Sequence, residues 1–502
     1  MRKIPTTMAT QHPDNACPAY FTGKRFISAQ DEIEECFLCF SELGVQEYMW
    51  DWEGKFVDEA VIDRLYNVYH DFFQKNQIGK DLFLTFRIPN IWIESSHKLP
   101  RAMMNLLSAE KAAKLYNFYS PPLFEIILPM TTSSDQLIYL QKAFGKIAKA
   151  TEEIFDLKTE LKTLDVIPLL EEFDVMANCK DLLHNYVKFL RDEWHHQPEY
   201  MRVFTARSDP ALNAGFLPAK LATKLAVNLY HEFEDESGIK VYPWVGGGCL
   251  PFRGGINPEN IDPILEEYSG FASVTVQSAF RYDYDLEEVK KAIKKLNTNL
   301  PKNLKKFQVI SKEEREALKS FSKAAENFYK PVIEEIADVI NTVSSKLPGH
   351  RERVQHVGLF GYSRGVGKVK LPRAINFTGA LYSIGVPPEL IGTGRALKLA
   401  KEMGILDLIN RLCPYLREDL MHAGHYLNRE NLELLSKKNA AWKTIKQDID
   451  LIEELLNIPI KDDKPHHVIH RNFTSNIYQK LALNEDFSED LLKAAEIRKS
   501  LG

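Results

Sequence analysis

The feature that most constrains this chain is a rhythm. Short apolar runs recur at VQEYMWDW (45–52), DLFLTFRIP (81–89), LFEIILPM (123–130), DVIPLLEEF (165–173), MRVFTARSD (201–209), VYPWVGGG (241–248), FASVTVQSAF (271–280) and QHVGLFGYS (355–363). They are nearly continuous in apolar residues, as strands buried on both faces must be. The spacers are about one helix and two loops long, and LPRAMMNLLSAEKAAKLYNFY (99–119) and LATKLAVNLYHEFEDE (221–236) repeat apolar residues at helical steps. Alternating strands and helices imply right-handed crossovers and a parallel sheet. Eight such units predict a (β/α)₈ barrel, with a doubly wound open sheet as the competitor. The longer interval before the last run, about 285–350, is Lys-rich and amphipathic and reads as inserted helices. From about 385 to 502 the pattern is helical. The expectation is one α/β-barrel domain, helix-rich and heavily elaborated.

Composition narrows the function classes. A formal charge of −5 argues against a nucleic-acid surface, which needs clustered excess cation. No stretch approaches the ~20 apolar residues that span a bilayer, and MRKIPTTMAT lacks the apolar centre of a secretory signal. Six scattered cysteines do not make a disulfide scaffold. Cys36 and Cys39 form a lone C-x-x-C, read as two helix-facing thiols rather than a zinc or redox site. A cytoplasmic location is expected.

Barrel enzymes place their chemistry at the C-terminal ends of the strands. Here those ends carry Asp51, Glu53, Arg87, Glu171, Glu172, Arg207, Asp209, Arg253 with its glycines, Gln277 and Arg364. Acids ending two neighbouring strands, at Glu171-Glu172 and Asp209, form a sparse all-oxygen set that suits Mg²⁺ or Mn²⁺. The alternative for Asp209 is a helix cap with Pro210 following. GGGCLPFRGGI (246–256) surrounds one arginine with glycines, and GYSRGVGKVKLPRAI (361–375) supplies Arg364 and Arg373. Glycines let backbone N–H groups approach an anion, and an arginine fork binds phosphate or carboxylate. The 246–256 stretch is neither a Walker loop, since no Gly-Lys-Ser/Thr follows, nor a dinucleotide fingerprint. In MATQHPDNA (8–16), Pro13 keeps His12 extended, whether as a turn residue or a reactive one.

TQHPDN, MWDWEGK, FLTFRIPN, ARSDPALNAG, LPFRGG, GYSRG and LPRAI, in this order, resemble the short archaeal-type phosphoenolpyruvate carboxylases over nearly the whole chain. The resemblance implies joining phosphoenolpyruvate and bicarbonate to give oxaloacetate and phosphate, through carboxyphosphate and a metal-bound enolate, in a homotetramer using Mg²⁺ or Mn²⁺. It implies Glu171 and Asp209 as metal ligands, and His12, Arg253, Arg364 and Arg373 as catalytic residues. Arg87, Arg207, Gly254, Gly255 and Gln277 become substrate-binding candidates. Two cations of the family's long form are replaced here by Gly247 and Leu212. Arg207, two residues before Asp209 and so expected on the same side of a strand, is the candidate to supply one of them. The glycine-flanked loops 246–255 and 361–367 are expected to move. The N-terminal segment is expected to fold into the barrel mouth, such that deleting residues 1–15 stops carboxylation but leaves the barrel folded. The rivals are another metal-dependent pyruvate or enolate lyase or aldolase, indifferent to bicarbonate, and a non-catalytic RNA-binding protein.

Overall fold

The computed structural model describes residues 2–53, 56–94, 97–349, 351, 364–366, 369–460 and 464–502, with residues 364–366 described by backbone alone. Eight parallel strands close in chain order: β1 (Thr7–Ala9), β2 (Glu47–Asp51), β3 (Phe83–Arg87), β4 (Glu125–Leu128), β5 (Asp165–Leu170), β6 (Tyr200–Ala206), β7 (Lys240–Gly246) and β8 (Ser273–Val276). Seven of them fall on the apolar runs between 45 and 280. The remaining strand is a correction. The run at 355–363 lies outside the described residues, and the ring is complete without it. It is closed by β1, where Met8 stands opposite Glu47 of β2 and Thr275 of β8. A three-residue strand is too short to carry a two-residue period, so the sequence pattern does not reveal it.

Inward positions alternate along each strand, and they fill the barrel in layers. At the N-terminal ends Arg202 donates to Glu47 (2.9 and 2.6 Å) and to Glu125 (2.7 Å), and Thr85 donates to Glu47. The middle layer is apolar: Met8, Met49, Ile127, Ile167, Leu169, Phe204, Ala206 and Trp244. Phe204 and Trp244 stack 3.9 Å apart, their planes within 4°. Asp51 and Glu171 come two residues after Met49 and Leu169, and Arg87 ends β3 beside Asp51. A buried ionic base and a dry middle thus leave a charged layer at the mouth.

The outer helices follow from local signals. Asp285 accepts from the N–H groups of Glu287 and Glu288 and starts the helix Leu286–Asn299. A Ser311–Glu314 capping box starts the helix Lys312–Ser344. From Ala374 the chain runs through helices to Ile497. Cys36 and Cys39 are buried in the helix Asp31–Ser41, and burial pushes the Cys39 thiol up to about 12. Among the described residues no helix is long and apolar enough to cross a membrane.

Candidate active site at the barrel mouth

The charged layer is the floor of the mouth. Arg87 donates to Glu94 through both terminal nitrogens (3.0 and 2.7 Å), with Asp51 3.7 Å away. Burial opposes its charge, but Glu94, Asp51 and Glu171 outweigh burial, so the guanidinium is held charged above its ordinary range. Glu171 thus adds to the negative charge that Arg87 faces. Glu171 is buried at the end of β5, whereas Glu172 is exposed and precedes the next helix. Leu170 pairs with Thr205, so Glu171 and the residues following β6 share one side of the mouth.

Asp209 is not a helix cap. The helix is Ser208–Ala214, its N-cap is Arg207, and Asp209 lies in the first turn, half-buried. The same boundary corrects the argument for Arg207. β6 ends at Ala206 and Arg207 is already helical (φ −111°, ψ −35°), so strand alternation does not relate it to Asp209. Its buried side chain lies against Tyr268, whose hydroxyl donates to the Gly254 carbonyl (2.6 Å), and its charge also acts on Asp419.

The loop 246–256, expected to move, is bonded along its length in this structure. Gly248 N–H donates to Arg253 O (2.8 Å), Ile256 N–H to Gly248 O (2.9 Å) and Gly255 N–H to Leu250 O (3.0 Å). Phe252 N–H donates to Glu389 (2.7 Å). Gly254 has φ 125°, open only to glycine, and a Cβ on Gly248 would lie 2.6 Å from Arg253 Nη1. The glycines thus let the guanidinium lie flat on its own loop.

Arg253 is buried and joins four parts of the chain. Nε donates to Ser208 (3.2 Å), Nη1 to Asp14 (3.0 Å) and to the main-chain O of Gly502, and Nη2 to Gln277 (2.6 Å). Asp14 also accepts from Ala279 N–H (2.8 Å), and Asp283 accepts from the N–H groups of Ala16 and Cys17. Burial pushes the Asp283 carboxyl up to about 8. These bonds draw the segment after β1 across the mouth. There His12 is half-buried, with Nδ1 2.8 Å from Thr10 Oγ1, and Gln11 accepts from Asp51 N–H (2.9 Å).

Arg373 is exposed at the N-cap of the helix Ala374–Ser383. Arg364 opens β9 (Arg364–Val366), which pairs antiparallel with β10 (Val369–Leu371), and its side chain lies outside the described residues. The moving loop expected at 361–367 lies outside them too, save the backbone of 364–366. Asp14 and Glu94 were missed from sequence. Their signals are local: Asp14 follows His12 by two residues in HPDN, and Glu94 closes the turn after FRIPN. A cavity of about 400 Å³ lies outside the barrel, but its Lys224 and Arg411 are already paired with Glu267 and Glu314.

The model of a family described as phosphoenolpyruvate carboxylase matches residues 4–502. A phosphoenolpyruvate carboxylase of Oenococcus oeni is 40% identical, the match covering 100% of this chain and 99% of that protein. One of Picrophilus torridus is 38% identical over 99% of both chains, and one of Metallosphaera sedula 36% identical over 100% of both. With a barrel mouth that gathers its histidine, carboxylates and arginines from motifs in this order, the chain belongs to the phosphoenolpyruvate carboxylase family.

Proposed function

We propose that this chain, as one catalytic unit, joins bicarbonate to phosphoenolpyruvate and releases oxaloacetate and inorganic phosphate. The observation that carries this reading is the meeting of the HPDN segment, the glycine loop and the Arg87–Glu171 floor at one barrel mouth. Glu171 and Asp209 hold Mg²⁺ or Mn²⁺. Two hard oxygen donors, one just past β5 and one in the first helical turn after β6, suit an ion that keeps several waters and takes further ligands from substrate. Among the described residues no group of three or more His, Cys, Asp or Glu is arranged for a metal. When bound, the ion supplies Lewis-acid stabilisation of oxyanion charge.

The chain's own groups do the rest. Arg364 and Arg373 take the phosphate and carboxylate charge, and Arg87, aligned by Glu94, faces the same anion. A guanidinium has five N–H groups; four of those on Arg253 are donated within the chain, which leaves one on Nη2 for the bicarbonate-derived group. Gln277 orients that fork, and Gly254 and Gly255 let the substrate approach the backbone. Arg207 adds positive charge from behind the loop. His12 moves a proton during transfer of CO₂ to the enolate, as an imidazole can near neutral pH. Carbon capture must outrun protonation by water, which favours a mouth walled by buried, bonded groups. A homotetramer and a cytoplasmic location are part of the same proposal.

The test couples oxaloacetate to NADH oxidation with and without bicarbonate. Wild type should require bicarbonate, while Asp209→Ala and His12→Asn should lose oxaloacetate formation. Oxaloacetate-independent turnover of phosphoenolpyruvate by wild type, indifferent to bicarbonate, would instead favour a lyase or aldolase.

A further inference from the structure

We infer that Glu35, remote in sequence from every residue given a role above, is a positioning residue for His12 and the Gln277–Arg253 pair. The inference rests on the carboxylase reading. Glu35 lies in the helix Asp31–Ser41 and is 1% exposed. Its Oε1 accepts from Arg281 Nη2 (2.7 Å), Arg351 Nη2 (2.6 Å) and the Tyr282 hydroxyl. Its Oε2 accepts from Arg351 Nη1 (2.8 Å) and the Tyr48 hydroxyl (2.8 Å). Five donors thus converge on one buried carboxylate. The two guanidinium charges are balanced by Glu35 and by Glu32, 3.2 Å from Arg351.

What these arginines hold gives the cluster its meaning. Arg281 Nη1 donates to the carbonyls of Thr10 (3.1 Å) and Val276 (2.6 Å). Those carbonyls follow β1 and end β8, the two strands whose pairing closes the barrel. The side chain of Thr10 meets His12 Nδ1. Val276 precedes Gln277, the partner of Arg253, and Arg351 Nη2 donates to Ser278 Oγ (3.0 Å) just after it. One carboxylate therefore fixes two guanidinium groups that set the spacing of the His12 segment and the Gln277 segment. Its neutralisation would leave Arg281 and Arg351 repelling each other, balanced by Glu32 alone. That strain falls on the closing seam. Catalytic groups displaced by a fraction of an ångström lose rate steeply.

Glu35→Gln keeps the shape and removes the charge. Phosphoenolpyruvate consumption and oxaloacetate are measured together with pyruvate, the product when the enolate takes a proton before CO₂ reaches it. The expected result is a kcat lowered about 10- to 100-fold, with KM changed far less, and a raised ratio of pyruvate to oxaloacetate. A role in stability alone would lower both products in proportion to the folded fraction. An unchanged product ratio would therefore overturn the inference. Arg351→Lys keeps the charge but loses the two-point contact. It should shift the ratio in the same direction, and it decides the matter if Glu35→Gln does not fold. A wild-type chain that forms no oxaloacetate overturns the carboxylase reading and this inference with it, an outcome distinct from a carboxylase whose product ratio ignores Glu35.

Discussion

Replacing Asp14 with Asn tests the clamp around Arg253 most directly. The Asp14 side chain is fully buried and that of Arg253 is 1% exposed. Asp14 accepts from two donors, Ala279 N–H on one oxygen and Arg253 Nη1 on the other. Asparagine keeps the volume but turns one oxygen into a donor, so one bond is lost and two donors face each other. Arg253 retains Ser208, Gln277 and the Gly502 oxygen as partners. Removing one member of a buried ion pair costs about 3–5 kcal/mol. Because Asn preserves one of the two bonds, the lower end, about 3 kcal/mol, is expected. An unfolding entropy of roughly 2.1 cal/mol/K per residue makes about 1 kcal/mol/K for a chain of this length treated as one cooperative unit. The midpoint should then fall about 3 °C. Arg253 also loses the anchor that sets its fork, so kcat should fall about 10- to 100-fold. Calorimetry and the coupled oxaloacetate assay read the two effects. A variant melting with wild type and turning over normally would refute the idea that Asp14 holds Arg253.

Glu389 carries a pH prediction. Burial pushes its carboxyl up from 4.5 to about 7, against the bonds from Tyr382 and Phe252. A carboxyl whose folded value is raised favours folding fully below its unfolded value and loses that contribution as pH rises through the folded one. The urea midpoint of wild type should therefore carry a component that falls between about pH 4.5 and 7, and Glu389→Gln should lack it. Trp244→Ala removes a fully buried ring stacked on Phe204 and should cost about 3–5 kcal/mol by chemical denaturation. Deleting residues 1–15 should abolish the cooperative unfolding transition as well as activity, because β1 goes with them; a folded truncated barrel would show that β1 is dispensable. The place of β1 between β2 and β8 is the reason to expect this loss rather than a barrel spared by the deletion.

The barrel was legible because seven strands are long enough to show a buried apolar run and are separated by spacers with helical steps. β1 escaped for the opposite reason: it is three residues long, only Met8 and Ala9 of them apolar, and lies between Thr6 and Thr10. The floor was legible as well, since Asp51, Arg87 and Glu171 each end an apolar run and so announce a strand terminus. What the sequence does not reveal is which polar groups pair. Nothing in the spacing says that Arg253 meets Asp14 and Gly502, from opposite ends of the chain, or that Glu35 gathers Arg281 and Arg351. Such pairings are set by where the ring closes, and ring closure depends on the one strand too short to read. Arg207 failed at a boundary: β6 stops at Ala206, three residues short of Asp209, which turned a strand-alternation argument into a helix-cap geometry.

That dependence bears on how the mouth works. A loop of five glycines around an arginine looks flexible in isolation, because glycine carries the largest backbone freedom to lose. Here the freedom is used to let the loop fold back on its own guanidinium, and bonds from Glu389, Asp14, Gln277 and Ser208 then fix it. The glycine wall is thus held by bonds to residues distant in sequence, while Arg373 stands exposed at the N-cap of the helix Ala374–Ser383. A reaction that must hold a short-lived acid anhydride and keep water from an enolate benefits from this division. On the proposed reading, the bonded wall sets the distance between His12 and the bicarbonate-derived group, and the exposed arginine is the group placed to admit and release the anion. The seam between β1 and β8 carries that distance, which is why a charge buried at Glu35 should register in the product ratio more than in the binding of phosphoenolpyruvate.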